Sequence, residues 1–195
     1  MITKIGKLNI NFNKIISYFE STDTNVYSTY VDDQWIAKQK NKFVEHTFSD
    51  QQINSWFNYN KTSTDMEYLL SNDVVKKYIE TCLPQDLLDE QCLDRNIASW
   101  NIQKQSPGNF TVPHYDVYHS ILSKDSDCKI NQITRFWIPL EDAKFGHALF
   151  VEDTVLSDFK AGEIYDWGID DLHAAVNVGF DPRYTLLLYF KKKIL

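Results

Sequence analysis

The second half of the chain alternates apolar and polar residues in short runs. From about residue 97, runs rich in β-branched and aromatic residues are separated by turn residues, and no helical periodicity intervenes. In order, these runs are IASWNIQ, VPHYDVYHSIL, ITRFWIPL, HALFVED, KAGEIYDWG, HAAVNVG and FDPRYTLLLYF. Evenly spaced short strands of this kind are typical of an antiparallel sandwich or barrel, not of a doubly wound parallel sheet. The pattern therefore predicts a mainly β fold, a double-stranded β-helix of the jelly-roll or cupin-like type.

The first half carries helical signals instead. A segment beginning near Asn13 has apolar residues at spacings of three and four, and Val74 to Cys82 repeats that pattern before Pro84 ends it. Stretches rich in Ser, Thr, Asn and Asp are predicted to be loops, at 21–34 and 58–66. We predict one domain over 1–195, with helical and loop support over about 1–95 and the jelly-roll catalytic core over about 96–195.

Composition and charge limit the kinds of molecule that the protein is expected to bind. The net charge is −7, the isoelectric point is about 5.2 and the basic residues form a run only at Lys191 to Lys193, so no nucleic-acid-binding face is indicated. Three cysteines without CxxC spacing favour neither a disulfide framework nor a zinc site. The N-terminus lacks the apolar core of a signal peptide, and no apolar stretch is long enough to cross a membrane. We therefore expect a cytoplasmic protein with no membrane partner, and the oligomeric state stays open.

Three residues form a candidate metal site. If HYDVYHS is a strand, His114, Asp116 and Tyr118 point to one side, so the first two can bind one ion. His173, at the start of HAAVNVG, is the candidate third ligand. Two imidazoles and one carboxylate leave open positions on the metal, as in non-haem iron(II) oxygenases. An H-x-D triplet alone is weak, because a surface histidine beside a solvated aspartate gives the same letters.

Arg183 supports the metal hypothesis. It follows His173 by ten residues, and in RYTLLLYF it shares a face with Thr185, Leu187 and Tyr189. An arginine facing a barrel interior needs a carboxylate partner, since an unpaired buried charge is strongly unfavourable. No acidic residue is an obvious partner. A bound dicarboxylate held through two hydrogen bonds would satisfy the guanidinium.

H-x-D, a distal His and an Arg ten residues later resemble the motif of the 2-oxoglutarate and iron(II)-dependent dioxygenase superfamily, over roughly residues 97–190. The segments RFWIPLED, KAGEIYDWG and HAAVNVG look most like the aspartyl/asparaginyl hydroxylase and proline hydroxylase branch. The chain departs from that branch at Trp137, where the branch often has His, and at Ala161, where it has Pro.

The resemblance implies an oxygenase that uses iron(II), dioxygen and 2-oxoglutarate, releases succinate and CO₂, and has ascorbate as a candidate reductant. The implied iron ligands are His114, Asp116 and His173. The implied 2-oxoglutarate residues are Arg183 as the carboxylate partner, Thr185 as a hydrogen-bond donor and Arg135, which would hold a carboxylate of co-substrate or substrate.

The expected reaction is hydroxylation of an aliphatic C–H of a free or peptidyl amino acid. Candidate substrate contacts are Tyr118, Trp137 and Trp167 near the expected pocket mouth, and Asn101 and Gln103 on one face of IASWNIQ. Two alternatives remain open: the same chemistry on a nucleobase or small metabolite, and a cupin-like module that binds a metal and a small acid without turnover.

Overall fold

The computed structural model describes residues 1–22, 25–28, 33–60, 65–70, 73–123, 125 and 127–193. The first half mixes strands and helices: β1 (Thr3–Lys7), α1 (Phe12–Glu20), β2 (Asn25–Ser28), α2 (Asp33–Glu45), α3 (Asp50–Asn60), β3 (Asp65–Leu70), α4 (Asp73–Cys82) and α5 (Gln85–Glu90). The second half is mostly strand: β4 (Ser99–Gln105), α6 (His119–Leu122), a 3₁₀ turn (Ile130–Gln132), β5 (Ile133–Pro139), β6 (His147–Val151), β7 (Thr154–Leu156), β8 (Glu163–Asp166), β9 (His173–Asn177) and β10 (Arg183–Lys191).

The strands form two antiparallel sheets. The larger sheet has the order β1-β8-β5-β10-β4-β3-β2, and the smaller sheet has the order β7-β6-β9. One apolar cluster joins the sheets, because Trp137 and Leu187 of the larger sheet pack with Leu149 and Val151 of the smaller one. The mainly antiparallel β class with N-terminal helices is confirmed, and the facing sheets form the predicted jelly-roll.

The larger sheet has one apolar face that the helices cover. Along β10, Leu186, Leu188 and Phe190 point to this face and are fully buried. They pack in one cluster with residues of α1, α4 and α5, including Phe19 and Ile79. Burial of each such side chain stabilises the fold by about 1.5–3 kcal/mol, so this face supplies much of the core.

The opposite face of the larger sheet looks into the jelly-roll and is partly polar. Strand register puts Thr185 opposite both Gln103 of β4 and Pro139 of β5, and it pairs Tyr189 with Arg135. Residues directly opposite in an antiparallel pair share a face. The predicted alternation on β10, with Arg183, Thr185, Leu187 and Tyr189 together, agrees with this register.

Helices α2 and α3 pack beside the jelly-roll and form a separate apolar cluster with it. Ile36 and Phe43 of α2 and Trp56 of α3 pack against Val112 and Tyr115, which belong to the segment between β4 and α6. Among the described residues, no helix combines the length and apolar character needed to cross a membrane.

The loop prediction for 21–34 and 58–66 is wrong in part. Asn25–Ser28 is a strand that pairs with β3, and β3 pairs with β4 at the edge of the larger sheet. Helices α2 and α3 also reach into the two stretches. Many residue types can form the backbone hydrogen bonds of an edge strand, so the polar sequence of this stretch did not indicate a strand. Residues 23–24, 29–32 and 61–64 lie outside the described part.

Candidate metal and co-substrate site

His114 and His173 are brought together by backbone pairing. His114 N donates to His173 O at 2.9 Å, and His173 N donates to His114 O at 3.1 Å. The two residues form an isolated antiparallel bridge, and their ring centroids are 4.3 Å apart. Two residues distant in sequence therefore present their imidazoles side by side.

Asp116 completes the cluster from the other side. Its Oδ1 lies 3.9 Å from His114 Nε2 and 3.7 Å from His173 Nε2. One ligand atom from each of the three residues falls within 4.8 Å of the other two, and this is the group able to hold a metal among the described residues. Two imidazole nitrogens and one carboxylate oxygen are the donor set of the facial iron(II) site. The residues therefore fit the predicted metal.

Both imidazoles are oriented by backbone carbonyls. His114 Nδ1 lies 2.8 Å from Val112 O, and His173 Nδ1 lies 3.0 Å from Asp171 O. A carbonyl can only accept, so each Nδ1 carries the proton and each Nε2 keeps its lone pair for an ion. Burial lowers the pKa of His114 to about 4 and that of His173 well below its usual value. Both rings are therefore neutral at pH 7, as metal ligation requires.

Arg135 holds the second oxygen of Asp116. Its guanidinium donates to Asp116 Oδ2, which leaves Oδ1 facing the two imidazoles. The guanidinium carbon also lies 3.7 Å from the ring centroid of Trp167, and that ring contacts His173 edge-on at 5.3 Å. Arg135 Nε and Nη2 and Trp167 Nε1 are buried without a hydrogen-bond partner in the described structure.

Arg183 is buried at the other end of the interior face. Only 3% of its surface is exposed, and its Nη1 donates to Ala148 O at 3.0 Å. It has no ion pair with any described residue, and its Nε and the nearby Thr185 Oγ1 are buried without partners. Burial lowers the pKa of Arg183 to about 10, which still leaves the group charged at pH 7. A buried cation and an unpartnered hydroxyl fit a carboxylate ligand.

The H-x-D segment is not the predicted strand. Only His114 makes a bridge, residues 115–118 follow as a loop, and Tyr118 has a positive φ of 48°. Pro113 has no N–H for a ladder, and the backbone N–H and C=O of Tyr115 bond instead to the side chain of Gln39. His114 and Asp116 still converge, but through a loop and not through strand alternation.

The candidate substrate residues lie at two places. Tyr118 and Trp167 line a cavity of about 470 Å³ together with Arg135. Trp137 is buried inside, where it packs edge-on against Phe159 and Tyr165. Asn101 and Gln103 lie on the interior face of β4, and Asn101 Oδ1 is buried without a partner in the described structure. The contacts of these five residues with a substrate stay predictions.

The sequence did not predict that Gln39 and Trp56 hold the H-x-D segment. Gln39 is fully buried and Trp56 is 9% exposed; both contact the backbone of the H-x-D segment. A signal for Gln39 did exist, since it occupies the apolar stripe of α2 between Ile36 and Phe43, at spacings of three and four. A glutamine in such a stripe requires buried hydrogen-bond partners.

Comparisons with known proteins give structural matches alone. No family model matches the chain, and no curated protein matches it either. One similar solved structure is the viral collagen prolyl hydroxylase of Paramecium bursaria Chlorella virus-1 in complex with 2-oxoglutarate, with 14% identity, coverage of 89% of this chain and 98% of that chain, and a TM-score of 0.48.

Two further matches have similar scores. A Pseudomonas putida prolyl-4-hydroxylase has 10% identity, coverage of 93% and 99%, and a TM-score of 0.46. The non-haem α-ketoglutarate-dependent epimerase SnoN of nogalamycin biosynthesis has 12% identity, coverage of 93% and 82%, and a TM-score of 0.47. All three TM-scores lie below 0.5 and all three identities below 15%, so these matches carry no argument about family or activity. The functional argument therefore rests on the site itself.

Proposed function

We propose that this protein is a 2-oxoglutarate- and iron(II)-dependent oxygenase. The observation that carries the proposal is one interior that holds both a two-histidine, one-carboxylate cluster and a buried arginine without an acidic partner among the described residues. A barrel that binds a metal without turnover would need the metal cluster but not the buried arginine. A buried charge without a partner is costly, and a dicarboxylate co-substrate explains why Arg183 is there.

Each residue has a specific task in this proposal. His114, Asp116 and His173 would hold iron(II), and Arg183 with Thr185 would bind the distal carboxylate of 2-oxoglutarate. Bound iron and 2-oxoglutarate would supply the oxidising chemistry, with succinate and CO₂ as co-products. The chain would orient these groups, and the aromatic residues around the cluster would limit the access of water. Arg135 keeps Asp116 in place through Oδ2, and a contact of Arg135 with a carboxylate of co-substrate or substrate stays a prediction.

For the substrate we infer a free or peptidyl amino acid that is hydroxylated at an aliphatic C–H. The cavity lined by Tyr118, Arg135 and Trp167 measures about 470 Å³, which suits a small molecule or one residue of a peptide, and Arg135 connects it to the metal cluster through its bond to Asp116. Arg135 Nε and Nη2 and Trp167 Nε1 are buried beneath this lining with no partner among the described residues. A purely apolar substrate would leave these donors unsatisfied, at about 1–3 kcal/mol each.

Turnover of 2-oxoglutarate tests the class. Purified protein with iron(II), ascorbate and 2-oxoglutarate should release succinate, and His114→Ala, Asp116→Ala and His173→Ala should abolish that release while they stay folded. Asp86→Ala, at an exposed position on α5, is the matched control and should behave like the parent. Metal and 2-oxoglutarate binding without succinate from any substrate tried would favour the binding module instead.

A mass-spectrometric survey tests the substrate. Candidate amino acids, peptides, nucleosides and small metabolites are incubated with the loaded enzyme, and the products are searched for one added oxygen. Oxygen added to an amino acid or a peptide supports the proposal. If oxygen is added only to a nucleoside or another metabolite, the chemistry stands and the substrate class is wrong.

A further inference from the structure

Beyond the single bridge of His114 to His173, side chains of the N-terminal helices, and not a strand ladder, hold the segment that carries two of the metal ligands. Gln39 of α2 is fully buried. Its Nε2 donates to Tyr115 O at 2.7 Å, and its Oε1 accepts from Tyr115 N at 2.9 Å. Both backbone groups of Tyr115 are therefore bonded to one side-chain amide, in the position a neighbouring strand would otherwise fill.

A second contact fixes the residue before the first ligand. Trp56 Nε1 of α3 donates to Pro113 O at 2.6 Å. The rings of Phe43 and Trp56 pack edge-on at 5.0 Å, and Phe43 also packs against Tyr115 at 5.6 Å. Gln39 of α2 and Trp56 of α3 thus both hydrogen-bond to the segment, and the two helices pack with it in one aromatic cluster.

We propose that Gln39 is a positioning residue for the metal site, with Trp56 as its partner, so that helices α2 and α3 set the affinity for the ion. Tyr115 lies directly between His114 and Asp116. Rotation of either peptide plane next to Tyr115, about the adjoining φ and ψ angles, would move one of the two ligands relative to the other. The amide of Gln39 opposes this rotation in both planes, because it bonds the N–H of one and the C=O of the other. This inference rests on the metal site of the proposed function.

A role in stability alone makes a different prediction. Loss of a buried hydrogen-bond pair lowers the stability of any fold, but a protein that is still folded would then bind metal as before. A positioning role changes the affinity of the folded protein, since preorganisation of the ligands is lost. Metal affinity measured well below the unfolding temperature separates the two roles.

The experiment uses cobalt(II) alone as the probe. Gln39→Met keeps the length of the side chain and removes both hydrogen bonds, whereas Gln39→Glu keeps the acceptor for Tyr115 N and loses the donor. Trp56→Phe removes the bond to Pro113 O and keeps an aromatic ring. Gln51→Met, at an exposed position on α3, is the matched control. Calorimetry gives the dissociation constant, and the visible spectrum of bound cobalt(II) reports its coordination.

We expect Gln39→Met to bind cobalt(II) about 10- to 100-fold more weakly than the parent with an altered spectrum, the range typical for groups that orient metal ligands. Gln39→Glu and Trp56→Phe should fall between that variant and the parent, and Gln51→Met should equal the parent. A folded Gln39→Met with parental affinity and spectrum would overturn the proposal. If Gln39→Met does not fold, parental affinity in both Gln39→Glu and Trp56→Phe would overturn it.

The same titration separates this inference from the proposed function. If the parent binds no cobalt(II), or if His173→Ala binds it as the parent does, the metal site itself is wrong. If the parent binds and His173→Ala does not, while the Gln39 and Trp56 variants match the parent, only the positioning role fails.

Discussion

Two buried arginines face the interior with different partners. Burial lowers the pKa of each to about 10, so both are cations at pH 7. Arg135 meets Asp116, whereas Arg183 meets the carbonyl of Ala148 and no acidic group among the described residues. Arg135 pairs across the ladder with Tyr189, which is six residues from Arg183 on β10, or about 20 Å along the strand. The two cations therefore serve separate ends of the interior.

Arg183→Leu is predicted to weaken 2-oxoglutarate binding by about two to three orders of magnitude, because the co-substrate carboxylate would lose its charged partner at roughly 3–5 kcal/mol. Metal affinity should stay at the parental value. Thr185→Val should cost about tenfold, as expected for one hydrogen bond. Anaerobic calorimetry with metal-loaded protein measures both. Unchanged 2-oxoglutarate affinity in folded Arg183→Leu would assign the carboxylate to another group, with Arg135 the next candidate.

In the second half of the chain, sequence patterns correctly predicted most of the strands that are held by regular backbone hydrogen bonds to neighbouring strands. The alternation on β10 was readable, because one face of that strand is apolar and covered by helices. The H-x-D segment was misjudged as a strand, since Gln39 bonds the backbone of Tyr115 in place of a ladder. Helices α2 and α3 were not predicted, because α2 buries a glutamine in its apolar stripe and its composition is otherwise polar.

Glu163 ties the start of β8 to β1 and should give the fold a pH-dependent contribution. Burial would raise its pKa, but hydrogen bonds from Lys4, Tyr165 and the backbone N–H of Lys160 outweigh this and lower it to about 2. A carboxyl whose folded pKa is depressed stabilises the fold above its unfolded pKa, near 4.5, and loses that contribution as the pH falls towards 2.

Glu163→Gln is therefore predicted to lower the free energy of unfolding by about 1–3 kcal/mol at pH 7, the lower end allowing for the solvent exposure of Lys4. The difference from the parent should shrink steadily between pH 4.5 and pH 2. Urea unfolding across this range measures it, with Glu90→Gln at an exposed position of α5 as the control. A difference that stays constant with pH would mean that the charge of Glu163 is not its source.

Across the whole molecule, the two faces of the larger sheet have different roles: one packs against the helices and stabilises the fold, and the other faces the candidate site. Its helix-covered face is apolar, and its inner face carries the buried arginines and hydroxyl. The fold class followed from strand spacing, and the grouping of His114, Asp116 and His173 followed from motif spacing. The pairing of Arg135 with Asp116 could not be predicted, because it depends on the loop after His114 and on the position of Trp167.

Neighbouring leucines on β10 test this separation. Leu188 is fully buried on the helix-covered face, and Leu187 is 9% exposed on the inner face. Leu188→Ala is predicted to lower the free energy of unfolding by about 2–5 kcal/mol and to leave metal affinity unchanged in folded protein. Leu187→Ala should cost less stability, because its site is less tightly enclosed. Thermal unfolding and cobalt(II) titration measure the two effects, and a loss of metal affinity in Leu188→Ala would contradict the separation.

We propose that one interior binds iron(II) and 2-oxoglutarate together. Anaerobic protein with stoichiometric iron(II) should develop a weak visible charge-transfer band when 2-oxoglutarate is added, because the co-substrate then chelates the bound ion. The band should be absent in His173→Ala, and in Arg183→Leu it should appear only at much higher 2-oxoglutarate concentrations. No band in the parent, or a band of equal strength and equal 2-oxoglutarate dependence in all three proteins, would contradict the claim.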